Sequence, residues 1–155
     1  MIKEKIISYN YKVSKSQTSL ANYKKYIISN NQIFISGQLP LLNNTLIFKG
    51  KIDKETNHDI IKKSIEQSTI NLLCVLDEAI EQNSINFKNI SVLNIKGYLN
   101  TSNDFENHST LFNFSSDLII KILGFSQGVH SRSVIGVNSL PMGSPVEIEG
   151  TFLIK

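Results

Sequence analysis

Ile61, Ile65, Thr69, Leu72, Leu76 and Ala79 recur at spacings of three and four. One apolar stripe of this kind predicts an amphipathic helix from about Thr56 to Gln82. Asp59 and Glu66 lie toward its start, where the helix dipole favours anions. The C-terminal stretch has the other period: Val146, Ile148, Gly150, Phe152 and Ile154 alternate with Glu147, Glu149, Thr151 and Leu153. That alternation predicts a strand over 146–154 with one apolar and one polar face. β-Rich runs at Lys25–Ile28 and Gln32–Ser36 flank Asn30-Asn31, a pair suited to a tight hairpin turn. Further strands are expected at Thr45–Ile52, Asn89–Asn100 and Arg132–Val137. A second helix, about Phe114–Leu123, carries Leu118, Ile119, Ile122 and Leu123 and stops at Gly124. Residues 2–9 fit a short helix or an extended segment equally.

The predicted order is β-β-β-α-β-α-β-β, an α+β two-layer sandwich in which two helices cover one face of the sheet. The other face must be wet or covered by another chain, which points to an oligomer. At 155 residues the chain fits one domain spanning 1–155, with 1–20 as a lead-in. No repeat, linker, signal peptide or membrane-length apolar run interrupts it.

Composition removes several function classes. The net charge of +3 comes from scattered lysines; Lys24-Lys25 and Lys62-Lys63 are the adjacent pairs. A nucleic-acid module usually shows a basic stripe with interleaved aromatics, so that partner is not expected. Cys74 is the one cysteine, which excludes an internal disulfide and fits a reducing, cytoplasmic setting. It falls inside the long helix as a buried, inert thiol. His58, His108 and His130 have no metal-ligand spacing, and no metal is expected.

Candidate chemistry starts at Arg132, the one arginine among sixteen basic residues. A guanidinium is a planar fork that grips both oxygens of a carboxylate, which a lysine ammonium does not match. The carboxylate can belong to a small ligand, to this chain or to a neighbouring subunit, and the sequence leaves these open. Glu147 sits one strand later on a polar face that it shares with Glu149. With a substrate nearby it could deprotonate a water or protonate a leaving nitrogen. Ser36-Gly37 ends a strand without a His-Asp partner at recognisable spacing. Gly37 therefore suits close ligand approach, and Ser36 a hydroxyl hydrogen bond. Asn113 either offers its amide to a ligand or caps the second helix.

"YIISNNQIFISGQLP", "ANY" with Tyr23 thirteen residues before Ser36, and "HSRSVIGVNSLP" followed by "VEIEG" resemble the RidA/YjgF family, also called endoribonuclease L-PSP. The likeness runs from about Ala21 to Lys155. It implies a chorismate mutase-like fold and a homotrimer with sites between subunits. It also implies hydrolysis of reactive 2-imino or 2-enamino acids to 2-oxo acids and ammonia, without metal or organic cofactor. By matching positions, Arg132 would hold the substrate carboxylate and Glu147 would handle the attacking water. Tyr23, Ser36, Gly37 and Asn113 would line the pocket. The chain departs from the family pattern in three places. Val134 replaces a frequent cysteine, Ala21-Asn22 replaces a frequent Gly-Pro, and the loop before Asn113 is longer. Such variants look like a divergent subgroup. Three readings follow: an imine deaminase needing Arg132 and Glu147 in one cleft, a non-catalytic carboxylate-binding or regulatory trimer needing Arg132 alone, and an endoribonuclease. The last lacks a histidine pair for acid–base work and a clear aromatic platform.

Overall fold

The computed structural model describes residues 1–14 and 22–155. Strands β1 (Tyr26–Ser29) and β2 (Gln32–Gln38) form a hairpin closed by Asn30 and Asn31, whose φ values are 48° and 59°. Two consecutive left-handed residues make the turn whose twist matches the strands, and asparagine tolerates that conformation. The same device recurs at Asn43 and Asn44 (φ 51° and 65°) between β3 (Leu41–Leu42) and β4 (Thr45–Leu46). The strand expected over 45–52 is therefore not part of the main sheet. Its first residues fold back on Leu41–Leu42, and Ile52 touches the sheet by one bridge to Thr101.

Helix α1 (Ile2–Ser8) resolves the ambiguity at the N-terminal end by burying Ile2 and Ile6. Helix α2 (His58–Gln82) starts where the Asn57 side chain accepts the N–H groups of Asp59 and Ile60. Strand β5 (Ile90–Asn100) is followed by helix α3 (His108–Leu123), a short turn of helix α4 (Phe125–Gly128), and strands β6 (Ser131–Val137) and β7 (Val146–Ile154). Helix α3 begins six residues before the expected Phe114. The expected long loop therefore stops at Asn107, and Asn113 lies within the helix rather than capping it. Gly124 ends α3 with φ 89°, as its C-terminal glycine role requires.

The main sheet runs β1-β2-β7-β5-β6, antiparallel except for the β5–β6 pair. The mixed sheet with helices on one face gives the α+β, chorismate mutase-like architecture. Val146, Ile148, Gly150 and Phe152 all point inward. They meet Ile65, Leu72 and Leu76 of α2 and Ile119 and Ile122 of α3 in one core. On the helix-free face Ile27, Phe34 and Ile135 remain about half exposed, around a Lys96–Glu149 ion pair of 2.9 Å. Among the described residues no helix is long and apolar enough to cross a membrane. Cys74 is half-buried, and desolvation pushes its thiol up to about 11, so it stays protonated and unreactive at neutral pH.

Candidate active site

The residues singled out from sequence fall into two groups. Arg132 and Asn113 form the first, on the helix side of the edge strand β6. Arg132 pairs in register with Ile95, a fully buried core residue, so its side chain rises toward α3. There it donates from Nη1 to Ser116 Oγ (2.9 Å) and from Nη2 to both the Ser109 carbonyl (3.0 Å) and Asn113 Oδ1 (2.8 Å). Its guanidinium also stands 5.8 Å from the centre of the buried Phe112 ring. That ring comes close to β5 only because residue 97 is glycine; a side chain there would run into it.

Ser116 is itself oriented. Its hydroxyl is 3.1 Å from His130 Nε2, and His130 Nδ1 is 2.6 Å from the Gly128 carbonyl. A carbonyl only accepts, so Nδ1 carries a proton, and in the neutral imidazole Nε2 takes the Ser116 hydroxyl hydrogen. The Ser116 lone pairs are then turned toward Arg132. Every partner of Arg132 is a neutral acceptor, and among the described residues no carboxylate forms an ion pair with it.

Ser36, Gly37 and Glu147 form the second group, on the opposite face. The pairing of β2 with β7 shifts between Ile35 and Gln38, so Ser36-Gly37 occupies a bulge. Gly37 leaves room for the Glu147 carboxyl, which a methyl group in its place would overlap. Glu147 is half-buried here, and this desolvation, reinforced by the neighbouring Glu149 charge, holds its carboxyl above the ordinary carboxylate range. Ser36 uses its hydroxyl to donate to the Lys24 carbonyl (2.8 Å), and its N–H to donate to that of Lys25 (2.9 Å). These bonds fasten the segment carrying Tyr23, which is about half exposed.

The two groups do not meet within one chain. Glu147 pairs with Tyr98, three residues beyond Ile95, so it lies about 10 Å further along the strands than Arg132. It also projects from the other side of the sheet. Sequence reasoning overlooked Ser116 and His130. The signal for His130 was available, because residues two apart on an extended chain share a face, and His130 precedes Arg132 by two. Ser116 became visible only once α3 was extended to His108.

Residues 14–154 match the family model for endoribonuclease L-PSP. Protein TCP17 of Trypanosoma cruzi is 26% identical over 138 residues, covering 89% of this chain and 84% of that protein. Among solved structures, the Agrobacterium tumefaciens protein Atu1372, of unknown function, superposes with a TM-score of 0.84. It is 24% identical over 99% of this chain and 92% of its own. RidA from Psychrobacter sp. superposes less closely, with a TM-score of 0.56, 20% identity, and coverage of 92% of this chain and 97% of its own. The architecture is shared by both, and the match spans nearly all of the described core including both site groups. The chain belongs to the endoribonuclease L-PSP family, the RidA/YjgF family.

Proposed function

We propose that the protein hydrolyses 2-imino and 2-enamino acids to 2-oxo acids and ammonia, in clefts between the subunits of a homotrimer. The observation that carries this reading is the state of Arg132. The one guanidinium of the chain is partly buried and oriented by three neutral acceptors, yet has no carboxylate partner among the described residues. An arginine kept for an internal ion pair would show that pair. An oriented cation without an anion suits a ligand carboxylate.

Glu147 supplies the proton chemistry. A carboxyl with its pKa raised by burial is a better general acid near neutral pH than a solvated one. As the carboxylate, Glu147 takes one proton from the water while its oxygen bonds to the imine carbon, and returns it to the nitrogen, which receives the C=N π pair. The hydroxyl proton of the resulting carbinolamine passes to the nitrogen by the same route as the C=O bond forms, the C–N bond breaks and ammonia leaves. Because Arg132 and Glu147 lie on opposite faces, a cleft holding both takes one from each of two subunits. The half-exposed Ile27, Phe34 and Ile135 give the helix-free face a reason to be covered.

The sidedness also favours a second reading, in which a trimer binds a small carboxylate through Arg132 without turnover. An endoribonuclease is less well supported: His58 meets Phe114 edge to face, His108 meets Thr101 and His130 meets Ser116, each with its own partner. The test is release of 2-oxo acid from freshly generated 2-iminopropanoate and 2-iminobutanoate. Native protein should accelerate it, and Arg132→Ala and Glu147→Gln should each abolish most of the acceleration. Folded native protein that leaves both imines at their uncatalysed rate would overturn the deaminase and leave the binding trimer.

A further inference from the structure

Arg132 has five N–H donors, and the way this chain uses them restricts what a ligand can reach. A carboxylate held by two parallel bonds takes either Nη1 with Nη2 or Nε with Nη2; both arrangements include Nη2. Here Nη2 already serves two acceptors, the Ser109 carbonyl and Asn113 Oδ1. The remaining donors, Nε and the second hydrogen of Nη1, point in divergent directions and form no fork. As folded, the arginine is oriented but closed.

The three partners differ in how readily they can leave. Ser109 contributes a backbone carbonyl inside the first turns of α3, which cannot withdraw without opening the helix. Ser116 is partly buried and held by His130, which is held in turn by Gly128. Asn113 is exposed on the helix surface, and its hydrogen bond to Arg132 is exposed as well. Rotation of one side chain releases it.

We infer that Asn113 is a built-in competitor for the carboxylate at Arg132: the ligand binds by displacing Asn113 Oδ1 from Nη2, while Ser116 and Ser109 keep the guanidinium in place. This deepens, and rests on, the reading of Arg132 as the carboxylate anchor. It also reverses the sign of Asn113 relative to a residue that lines the pocket and holds substrate. A weak or uncharged ligand does not displace a hydrogen bond to a charged donor, so the asparagine sets a threshold that favours full carboxylates.

Titration calorimetry with 2-oxobutanoate distinguishes the two signs. Asn113→Ala should bind roughly fivefold to tenfold more tightly than native protein, the size of one ordinary net hydrogen bond, since this one is exposed to solvent. Alanine is also the better helix former at this exposed site, so the variant should fold. Asn113→Asp, of the same shape, places an anion permanently on the fork and should bind at least tenfold more weakly than native. Equal or weaker binding by Asn113→Ala, with binding still lost in Arg132→Ala, would overturn the competitor while leaving the anchor intact. Affinity unchanged in Arg132→Ala, or no binding by any variant, would remove the anchor and the competitor together.

Discussion

At the scale of single residues, Glu147 shows how a position proposed for catalysis opposes stability. Its carboxyl is half-buried beneath Gly37 and faces the charge of Glu149, and both effects disfavour the anion. The folded pKa is raised above the unfolded one. The fold therefore has this residue's full contribution below the ordinary carboxylate range and loses it as the pH rises through the folded value. Glu147→Gln keeps the shape without the charge. Its urea midpoint should stay close to native near pH 4 and rise above native near pH 8, while catalysis is lost. A midpoint gap that does not widen with pH would mean that the carboxylate is fully compensated in the folded protein. Residue identity made part of this site legible. Arg132 stood out because it is the one arginine, and Gly37 because a glycine at a strand end signals close approach. Asn43-Asn44 carried the same turn signal as Asn30-Asn31, and reading it would have paired the start of the strand expected over 45–52 with Leu41–Leu42. The environment of Glu147 was not legible, since burial depends on a bulge formed with a strand more than a hundred residues earlier.

Between elements, the least legible feature of the fold is α1. Seven residues are too few to hold a helix by themselves in water. It forms because Ile2 and Ile6 enter the core and because Asp77, on α2, accepts the N–H groups of Ile2 (2.8 Å) and Lys3 (3.2 Å). The carboxylate that caps it thus lies 75 residues away, beyond the reach of any local pattern. Asp77→Ala would leave buried N–H donors without partners and should cost about 1–3 kcal/mol in a denaturation experiment. Asp77→Asn should cost less, since its carbonyl oxygen can still accept one of the two bonds. Equal stability of all three proteins would show that α1 is held by its isoleucines alone. Helix α2 is the opposite case: its apolar stripe, its start near residue 57 and its end at Gln82 are all written locally. Helix α3 is intermediate. Its second half has a clear stripe, whereas its first half reads as a polar loop, "HSTLFN", that becomes helical by seating Leu111 and Phe112 in the core. Phe112 packs on Gly97 and beneath Arg132, so the same tertiary contact that extends the helix also brings Ser109 and Asn113 to the guanidinium.

For the molecule as a whole, the sheet separates what the proposed chemistry needs together. The polar face of β7 was legible from alternation, which placed Glu147 away from the helices. The face of Arg132 was not, because β6 carries apolar residues on both sides: Val134 on one, Ile135 and Val137 on the other. Only its register with β5 assigns Arg132 to the helix side. A second copy that covers the helix-free face could bring its own edge strand against the Ser36-Gly37 bulge, completing the site while burying Ile27, Phe34 and Ile135. The Lys96–Glu149 pair would enter the same interface already neutralised, which removes the main penalty for burying either charge alone. Charges introduced at the apolar positions should therefore break assembly without touching the site. Ile135→Glu, and independently Phe34→Glu, are expected to convert a trimer into folded monomers by light scattering at micromolar concentration. If the site is shared between subunits, imine hydrolysis should disappear in the same variants although Arg132 and Glu147 are intact. Monomers that retain full activity would show that one chain assembles the catalytic groups alone, and a native protein that is itself monomeric would remove the trimer from the proposal.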